Sequence, residues 1–306
     1  MRSIAVLGPG GVGGFMAGAL ARAGEPVTVV AREPTAEVVA RDGLRVRSVL
    51  LGDFTVRPPV VPRIEERFDA LIVATKAPGL APALERVAAE PGLVVPLLNG
   101  LEHMGPLRER FGDRALAGAI RIEADRPAPG LIVHTSRFLR VDLASDQPGP
   151  RPAMEALAAA LERSGIPTRI GASEAQVLWG KLVRLNALAC TTAAADRPLG
   201  FIRTDPEWRA ALEACVSEGA QVAAAEGASI ETAAVLDELG GAHATLGSSL
   251  QRDIAAGREP ELDHIAGSVL RAGARHGVPC PTIARLAGII AGRAGVAPPR
   301  LAAVAD

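Results

Sequence analysis

The stretch Ile4-Ala-Val-Leu-Gly-Pro-Gly-Gly-Val-Gly-Gly14 decides the fold of this chain. Its short apolar run ends at a glycine, an Ala-rich segment follows, and the β-branched run Val27–Val30 comes next. This order predicts a strand, a tight turn, a helix and a second strand. We therefore expect a βαβ unit at the start of the chain.

The glycines of this turn have G-x-G-x-x-G spacing. Gly8 would allow the tight turn, Gly10 would let a pyrophosphate approach the backbone, and Gly13 would let the helix pack closely on the strand. The helix that begins here, with Gly11 and Val12 at its start, would direct free N–H groups and its positive dipole end at the phosphates. The stretch predicts a dinucleotide-binding loop; the alternative is a Gly-rich turn that binds nothing.

The end of the second strand indicates which dinucleotide is bound. Enzymes that use NAD usually place Asp or Glu there to bind the ribose 2′-hydroxyl, whereas an Arg suits a 2′-phosphate. Arg32 follows this strand, which favours NADPH. The alternative is Glu33, the next residue, which would make NAD the cofactor if it turned toward the ribose.

Composition excludes several classes of partner. The 306 residues carry a formal charge of −1, so no basic surplus favours nucleic acid. We expect no membrane-spanning segment, because no apolar run is long enough to cross a bilayer, and we expect no signal peptide. Three scattered cysteines predict reduced thiols in a cytoplasmic protein.

These exclusions leave a small molecule as the expected ligand. The Ala-rich segment Ala211–Ala225 could pack between subunits, which suggests a homodimer.

Lysine is almost absent. The sequence contains 33 Lys and Arg residues, yet only positions 76 and 181 are lysine. Enrichment in Ala, Arg, Gly and Pro suggests a general pressure that converts Lys to Arg wherever either residue serves. A lysine can lose its proton, and its compact ammonium fits where a planar guanidinium does not. Lys76 and Lys181 are therefore candidate functional residues; the alternative is survival by chance.

Polar residues follow two neighbouring apolar runs. Thr75-Lys76 follows the run 68–74, and Asn99-Gly100 follows the run 92–98. Ligands of open α/β sheets bind at the carboxyl ends of the strands. We therefore expect both polar pairs at a ligand-binding edge.

The periodicity changes near Gly171. Residues 1–171 alternate strand and helix patterns, and short strand-like pieces between residues 115 and 142 predict an antiparallel extension of the sheet. Residues 172–306 have helical periodicity throughout. The sequence thus predicts an α/β dinucleotide-binding domain followed by an all-α domain with helices over residues 174–195, 207–226, 230–239, 261–276 and 281–294.

Eight motifs follow one another along the chain: the glycine loop, Arg32, Thr75-Lys76-Ala77, Leu98-Asn99-Gly100, Trp179-x-Lys181-Leu182, Arg197-Pro-Leu-Gly200, Ser248-Ser249 and Glu261-Leu-Asp263. Their order resembles that of the ketopantoate reductases (2-dehydropantoate 2-reductases), to about residue 294. This resemblance implies a Rossmann-type domain and an all-α C-terminal domain of the 6-phosphogluconate dehydrogenase-like type. It also implies NADPH-dependent reduction of 2-dehydropantoate to (R)-pantoate.

The resemblance assigns three residues to the chemistry. Lys181 would be the general acid that protonates the ketone oxygen, and Asn99 would lie beside the nicotinamide and the substrate. Glu261 would hydrogen-bond the cofactor or a substrate hydroxyl. The alternative for Glu261 is a solvated residue at a helix N-terminus, stabilised by the helix dipole.

The resemblance assigns three further residues to binding. Lys76 would contact the cofactor phosphate or ribose, and Ala124 would contact the cofactor through its backbone. Ser249 would hold the substrate carboxylate.

The sequence departs from the family beside Lys181. The family usually has asparagines four and eight residues after the lysine, where this chain has Leu185 and Ala189. Asn186 is retained as a substrate-binding candidate, although one residue on a helix is a rotation of about 100°. Losing the hydrogen bonds of these two asparagines to the substrate could cost about 1–3 kcal/mol of binding free energy each. A reductase of a different 2-oxo acid or ketone is therefore an alternative function. A second alternative is a non-catalytic dinucleotide-binding regulator. The presence of Lys181 and Glu261 argues against the regulator, because it would need neither residue.

Overall fold

The computed structural model describes residues 1–300 and separates into two compact units. The sheet unit contains Met1–Leu98 and His103–Val177, and the helical unit contains Asn99–Glu102 and the chain from Leu178 onward. The predicted domains, 1–171 and 172–306, differ from these units by a few residues at the junction and by the segment Asn99–Glu102. Residues 301–306 of the predicted second domain lie outside the described residues.

A parallel sheet forms the centre of the sheet unit, and its strands lie in the order β5-β2-β1-β6-β7. Side chains on the two faces of β1 enter two separate apolar clusters, Ile4 and Val6 on one side and Ala5 and Leu7 on the other. Burial on both faces explains the uninterrupted apolar runs of these strands. The strands are β1 Ile4–Leu7, β2 Val27–Val30, β5 Val60–Val61, β6 Ala70–Val73 and β7 Val94–Pro96.

The remaining strands build two further sheets, which corrects the predicted extension of the parallel sheet. One has the order β4-β3-β10-β9 and the other β12-β11-β8. Antiparallel pairs are present, as predicted, but among residues 1–300 the pairing of this region with the parallel strands is an isolated bridge between Val94 and Ala115. The strands are β3 Leu44–Ser48, β4 Phe54–Val56, β8 Ala117–Arg121, β9 Ala124–Ala128, β10 Leu131–His134, β11 Arg140–Ala144 and β12 Thr168–Ile170.

Helix α1 (Gly11–Arg22) explains why the second sheet is separate. It packs against β1 and β2 on one side and against β3, β4, β9 and β10 on the other. A Cβ placed at Gly18 would lie 2.6 Å from Cγ2 of Val46, and one at Gly14 would collide with the side chain of Ile132. Glycines at these two positions therefore let the sheet close on the helix. The other helices of this unit are α2 Glu33–Asp42, α3 Leu80–Leu84, α4 Met104–Phe111 and α5 Arg151–Arg163.

The helical unit confirms the predicted change of architecture, because residues 172–300 contain no strand. The predicted bounds of α6 and α12 match the structure, whereas α4, α7 and α10 were not predicted. The helices are α6 Glu174–Ala195, α7 Leu199–Thr204, α8 Pro206–Ala225, α9 Thr232–Gly241, α10 Ser249–Ala255, α11 Ser268–His276 and α12 Pro281–Ala294. A π-helical turn, Asp263–Gly267, precedes α11.

One stripe of helix α8 is buried within the helical unit. Ala211, Cys215, Gly219 and Val222 are all buried along this helix. This stripe packs within the subunit, whereas Ala224 and Ala225 of the same helix are exposed, and the homodimer stays a prediction. Among residues 1–300, no helix is both long enough and apolar enough to cross a membrane.

A buried histidine connects neighbouring strands of the sheet β4-β3-β10-β9 by hydrogen bonds. His134 is 1% exposed, its Nδ1 lies 2.8 Å from Ser48 Oγ, and its Nε2 lies 3.1 Å from Ser136 Oγ. Ser136 Oγ donates its hydrogen to the carbonyl oxygen of Phe138, so it accepts from Nε2–H, and Nδ1 accepts from Ser48. This arrangement satisfies a neutral imidazole, and burial lowers the pKa of His134.

We expect the free energy of unfolding to fall as the pH drops below about 6.5, the ordinary pKa of histidine. In that range the unfolded chain binds a proton at His134 before the folded chain does, so the unfolded state is favoured. The loss of unfolding free energy due to His134 is at most about 1.4 kcal/mol per pH unit, and it levels off below the pKa of His134 in the folded protein. Urea unfolding at pH 7.5 and 5.5 measures it.

His134→Gln should reduce this pH dependence, and His243→Gln, at an exposed position, is the matched control. Equal pH dependence in the wild type and His134→Gln would contradict the assignment.

Candidate functional site

The glycine loop is closed on one side and open on the other. Gly8 has a φ of +89°, and a Cβ there would lie 2.8 Å from Cγ2 of Thr75. A Cβ at Gly13 would collide with the carbonyl oxygen of Gly8, so helix and strand are in close contact. At Gly10, by contrast, no described atom lies within 4 Å of such a Cβ. This open side fits a phosphate group, which the first N–H groups of α1 can bind.

Ala124 borders the same loop. It begins β9, and its carbonyl oxygen is so close to Gly11 that a side chain on Gly11 would collide with it. Lys76 is exposed and directly follows Thr75, whose methyl group packs beside Gly8. The sheet unit thus brings together the glycine loop, the backbone of Ala124 and the Thr75-Lys76 turn.

Arg32 and Glu33 both lie at the start of α2. Arg32 is exposed, with extended φ and ψ of −66° and 150°. The Glu33 carboxylate lies 3.6 Å from a guanidinium nitrogen of Arg86. A hydrogen bond to its own backbone and, after it, the Arg86 charge lower the pKa of Glu33. Glu33 therefore already has a cationic partner within the sheet unit, whereas Arg32 extends into solvent.

Asn99 and Glu261 are brought together within the helical unit, although 162 residues separate them. Nδ2 of Asn99 donates a hydrogen bond to Oε2 of Glu261 at 3.1 Å, and both residues are partly exposed. The amide orientation follows from this contact, because only the nitrogen can donate to a carboxylate. The structure thus brings two polar side chains that the sequence assigned to the site into direct contact.

The π-helical turn Asp263–Gly267 follows Glu261 directly. Such turns are rare and are frequently found at functional sites. Gly100 has a φ of +80°, and a Cβ there would collide with the carbonyl oxygen of His264 in this turn. Ser268 Oγ donates a hydrogen bond to the same oxygen at 2.7 Å. The backbone after Asn99 therefore packs directly on the turn after Glu261.

Lys181 lies on α6 and is partly buried. Leu185, one helical turn later, is also partly buried, and Ala189 is fully buried. The side chains four and eight residues after Lys181 are therefore apolar, whereas Arg184, three residues after it on the same face, is charged.

The structure places Asn186 inside the helical unit. This residue is fully buried, and its Oδ1 accepts a hydrogen bond from Cys190 Sγ at 3.3 Å. It lies on the stripe of α6 that includes Val183, whose Cγ atoms would be 3.5 Å from a Cβ on Gly219 of α8. Asn186 is therefore packed in the core of the helical unit, where its Nδ2 is buried and has no hydrogen-bond partner among the described residues.

Ser249 is partly exposed at the start of α10. Its neighbour Ser248 is buried, caps the helix by accepting from the N–H of Gln251, and hydrogen-bonds Thr192 Oγ1 at 2.9 Å. Thr192 belongs to α6, so this bond connects the start of α10 to the helix that carries Lys181.

Sequence reasoning missed one cluster. Arg271 of α11 binds the carboxylates of both Glu102 and Asp263. Nothing in the sequence distinguishes Arg271 from the other arginines, and Glu102 carries no motif. The Glu261-Leu-Asp263 motif was the available signal, since it placed Asp263 beside a site residue.

Two family models match the chain. The model described as "Ketopantoate reductase PanE/ApbA" matches residues 4–144, and "Ketopantoate reductase PanE/ApbA C terminal" matches residues 175–294. The two matches cover most of the sheet unit and most of the helical unit.

Individual relatives match along nearly the whole chain. The 2-dehydropantoate 2-reductase of Halobacterium salinarum is 28% identical over 299 residues, which is 94% of this chain and 97% of that protein. The 2-dehydropantoate 2-reductase structure from Geobacter metallireducens has a TM-score of 0.87 at 26% identity, covering 95% and 99% of the two chains. The ternary structure of D-mandelate dehydrogenase with NADH and anilino(oxo)acetate also has a TM-score of 0.87; at 20% identity over 96% and 98%, it shows likeness of fold.

We expect Gly100→Ala to lower the free energy of unfolding by more than a positive φ alone explains. The substitution adds about 1–2 kcal/mol for the backbone conformation and about 1–3 kcal/mol for the collision with His264. Gly227→Ala is the matched control, because Gly227 has a φ of +85° and no described atom near its Cβ direction. Chemical unfolding of both variants measures the difference, and equal losses would contradict the close approach at Gly100.

Proposed function

The chain belongs to the ketopantoate reductase family, and on that premise we propose that it catalyses the NADPH-dependent reduction of 2-dehydropantoate to (R)-pantoate with Lys181 as general acid. Its similarity to several 2-dehydropantoate 2-reductases supports an oxidoreductase that takes a small 2-oxo acid. The observation that carries the proposal is the hydrogen bond between Asn99 and Glu261, because it joins two residues that the family resemblance assigns to one site.

The chemistry needs one hydride and one proton. A nicotinamide cofactor held by the glycine loop and Arg32 would supply the hydride for the carbonyl carbon of the 2-oxo acid. Lys181 donates a proton from Nζ to the carbonyl oxygen as negative charge develops there, which gives the alcohol. Asn99 and Glu261 orient the reacting groups through their amide and carboxylate, and Ser249 holds the substrate carboxylate.

The sheet unit supports a dinucleotide cofactor. The open side of the loop at Gly10 and the N-terminus of α1 fit a pyrophosphate, with Gly11, Val12 and Gly13 offering N–H groups. The exposed Arg32 suits a 2′-phosphate, and the ion pair of Glu33 with Arg86 disfavours the NAD alternative. Lys76 and the backbone of Ala124 complete the proposed cofactor contacts.

A second candidate function is reduction of a 2-oxo acid that carries an apolar group. The observation that favours it is the apolar side chain of Leu185 one turn after Lys181, where the family usually has an asparagine. D-mandelate dehydrogenase, which has a similar fold, was solved with NADH and anilino(oxo)acetate. An apolar substituent would match Leu185 better than the hydroxyl of 2-dehydropantoate.

The proposal also includes a cytoplasmic location and a homodimer. All three cysteines are free and buried, which suits a reducing compartment. Burial raises the pKa of Cys190 to about 12 and that of Cys280 to about 11, so both thiols are unreactive at neutral pH.

We expect the protein to oxidise NADPH in the presence of 2-dehydropantoate, and Lys181→Ala to lower kcat by about 10²–10⁴-fold because the proton donor is lost. Nicotinamide absorbance with a panel of 2-oxo acids, including aromatic ones, measures both effects. A higher kcat/KM for an aromatic 2-oxo acid than for 2-dehydropantoate would favour the second candidate.

Lys181→Arg is the matched control. It keeps the positive charge, but its guanidinium does not release a proton at neutral pH, so kcat should stay low while NADPH binding is retained. Full activity of Lys181→Ala would contradict the role of Lys181. Tight NADPH binding without turnover of any 2-oxo acid would contradict the proposed reaction and favour a regulatory protein.

We expect Arg32→Ala to raise the KM for NADPH by about 10–100-fold, because a charge-assisted hydrogen bond of about 1.5–3 kcal/mol to the 2′-phosphate is lost. The KM for NADH, which lacks this phosphate, should not change. Glu33→Gln is the control, since it alters the neighbouring charge without removing Arg32. Preference of the wild type for NADH would contradict the assignment.

A further inference from the structure

Arg271 joins two short segments of the helical unit. Its Nη2 donates to Oε2 of Glu102 at 2.8 Å, and its Nε donates to the other oxygen of the same carboxylate. Its Nη1 donates to Oδ1 of Asp263 at 2.8 Å, and Nη2 also reaches the carbonyl oxygen of Asp263 at 2.8 Å. Nη1 also donates to the carbonyl oxygen of Arg300 at 3.1 Å. One guanidinium therefore binds two carboxylates and two backbone carbonyls.

The π-helical turn explains how Arg271 reaches Asp263. Eight residues separate the two, which on a regular α-helix is a rotation of about 800°, or about 80° away from the same face. A π-helical turn takes more residues per turn and so reduces this rotation. The Arg271 side chain is only 14% exposed, which strengthens its charge-assisted hydrogen bonds relative to those of a solvated arginine.

The two segments that Arg271 joins are those that carry the proposed site residues. Glu102 lies three residues after Asn99, and Asp263 lies two residues after Glu261. Between these ends, Gly100 packs on the carbonyl oxygen of His264. The segment Asn99–Glu102 is thus held by the Asn99–Glu261 hydrogen bond at one end and by Arg271 at the other.

We propose that Arg271 is a positioning residue: by binding Glu102 and Asp263 together, it fixes the amide of Asn99 against the carboxylate of Glu261. This inference rests on the proposed function of these two residues. Arg271 touches neither substrate nor cofactor. It acts by restricting the movement of the backbone that carries Asn99, and a displacement of about 1 Å can cost an enzyme about 100-fold in rate.

Arg271→Gln tests this role, with kcat, KM and the NADPH dissociation constant measured on the full chain. We expect kcat to fall by about 10–100-fold, while the NADPH dissociation constant changes by much less than kcat, since the glycine loop, Arg32 and the other proposed phosphate contacts belong to the sheet unit. Arg271→Lys keeps the charge without the planar fork and should recover only part of kcat. Arg275→Gln is the matched control, because Arg275 lies one turn later on α11 and pairs with Glu226 at 2.9 Å in an exposed position.

A double-mutant cycle separates positioning from general destabilisation. In an Asn99→Ala background, Arg271→Gln should lower kcat by less than about threefold, because the group that Arg271 positions is already absent. A loss in that background as large as in the wild type would overturn the proposal, as would an unchanged kcat in Arg271→Gln.

Two further measurements keep the test decisive. If Arg271→Gln does not fold, Glu102→Gln keeps the contact of Arg271 with Asp263 and should still lower kcat severalfold; unchanged kcat in this variant would overturn the proposal. Absence of turnover in the wild type would contradict the proposed function instead, so the two failures are distinguishable.

Discussion

The close contact of α1 with its neighbours on both sides is the constraint on which the sheet unit depends. The helix is buried from Gly13 to Leu20 between the parallel sheet and the sheet that contains β3 and β10. Its glycines leave no space for side chains toward Gly8, Ala124 or Ile132. A helix held this tightly presents its N-terminus in one position, so the phosphate-binding groups need no ordering when a ligand arrives.

The sequence determined the elements with strong local signals. The glycine loop, the apolar strands and the long helices α6 and α12 follow from turn chemistry and periodicity. The short helices α4, α7 and α10 were missed because six to eight residues contain too few turns to establish a period. The pairing of β3 with β10 joins strands about 85 residues apart in sequence, and no local pattern encodes such a partner.

In the candidate site, too, residues within local motifs could be predicted from the sequence, whereas long-range contacts could not. Asn99 and Glu261 could be named from motifs, and the structure joins them by a hydrogen bond. Asn186 was selected for its polar side chain, but the structure buries that side chain against Cys190 of the same helix, and its role in substrate binding stays a prediction. Arg271 could not be recognised in a chain where arginine is common, because its role depends on a π-helical turn that periodicity does not reveal.

The segment Asn99–Glu102 has a consequence for how this protein can be divided or recombined. It directly follows a strand of the parallel sheet, yet its contacts belong to the helical unit, and the chain returns to the sheet unit at His103. A fragment that begins at Leu178 would lack the tetrapeptide that packs on the π-helical turn and would leave Arg271 without Glu102. The two units are therefore not interchangeable modules at a single junction, and any exchange between homologues must transfer this internal tetrapeptide together with the C-terminal half.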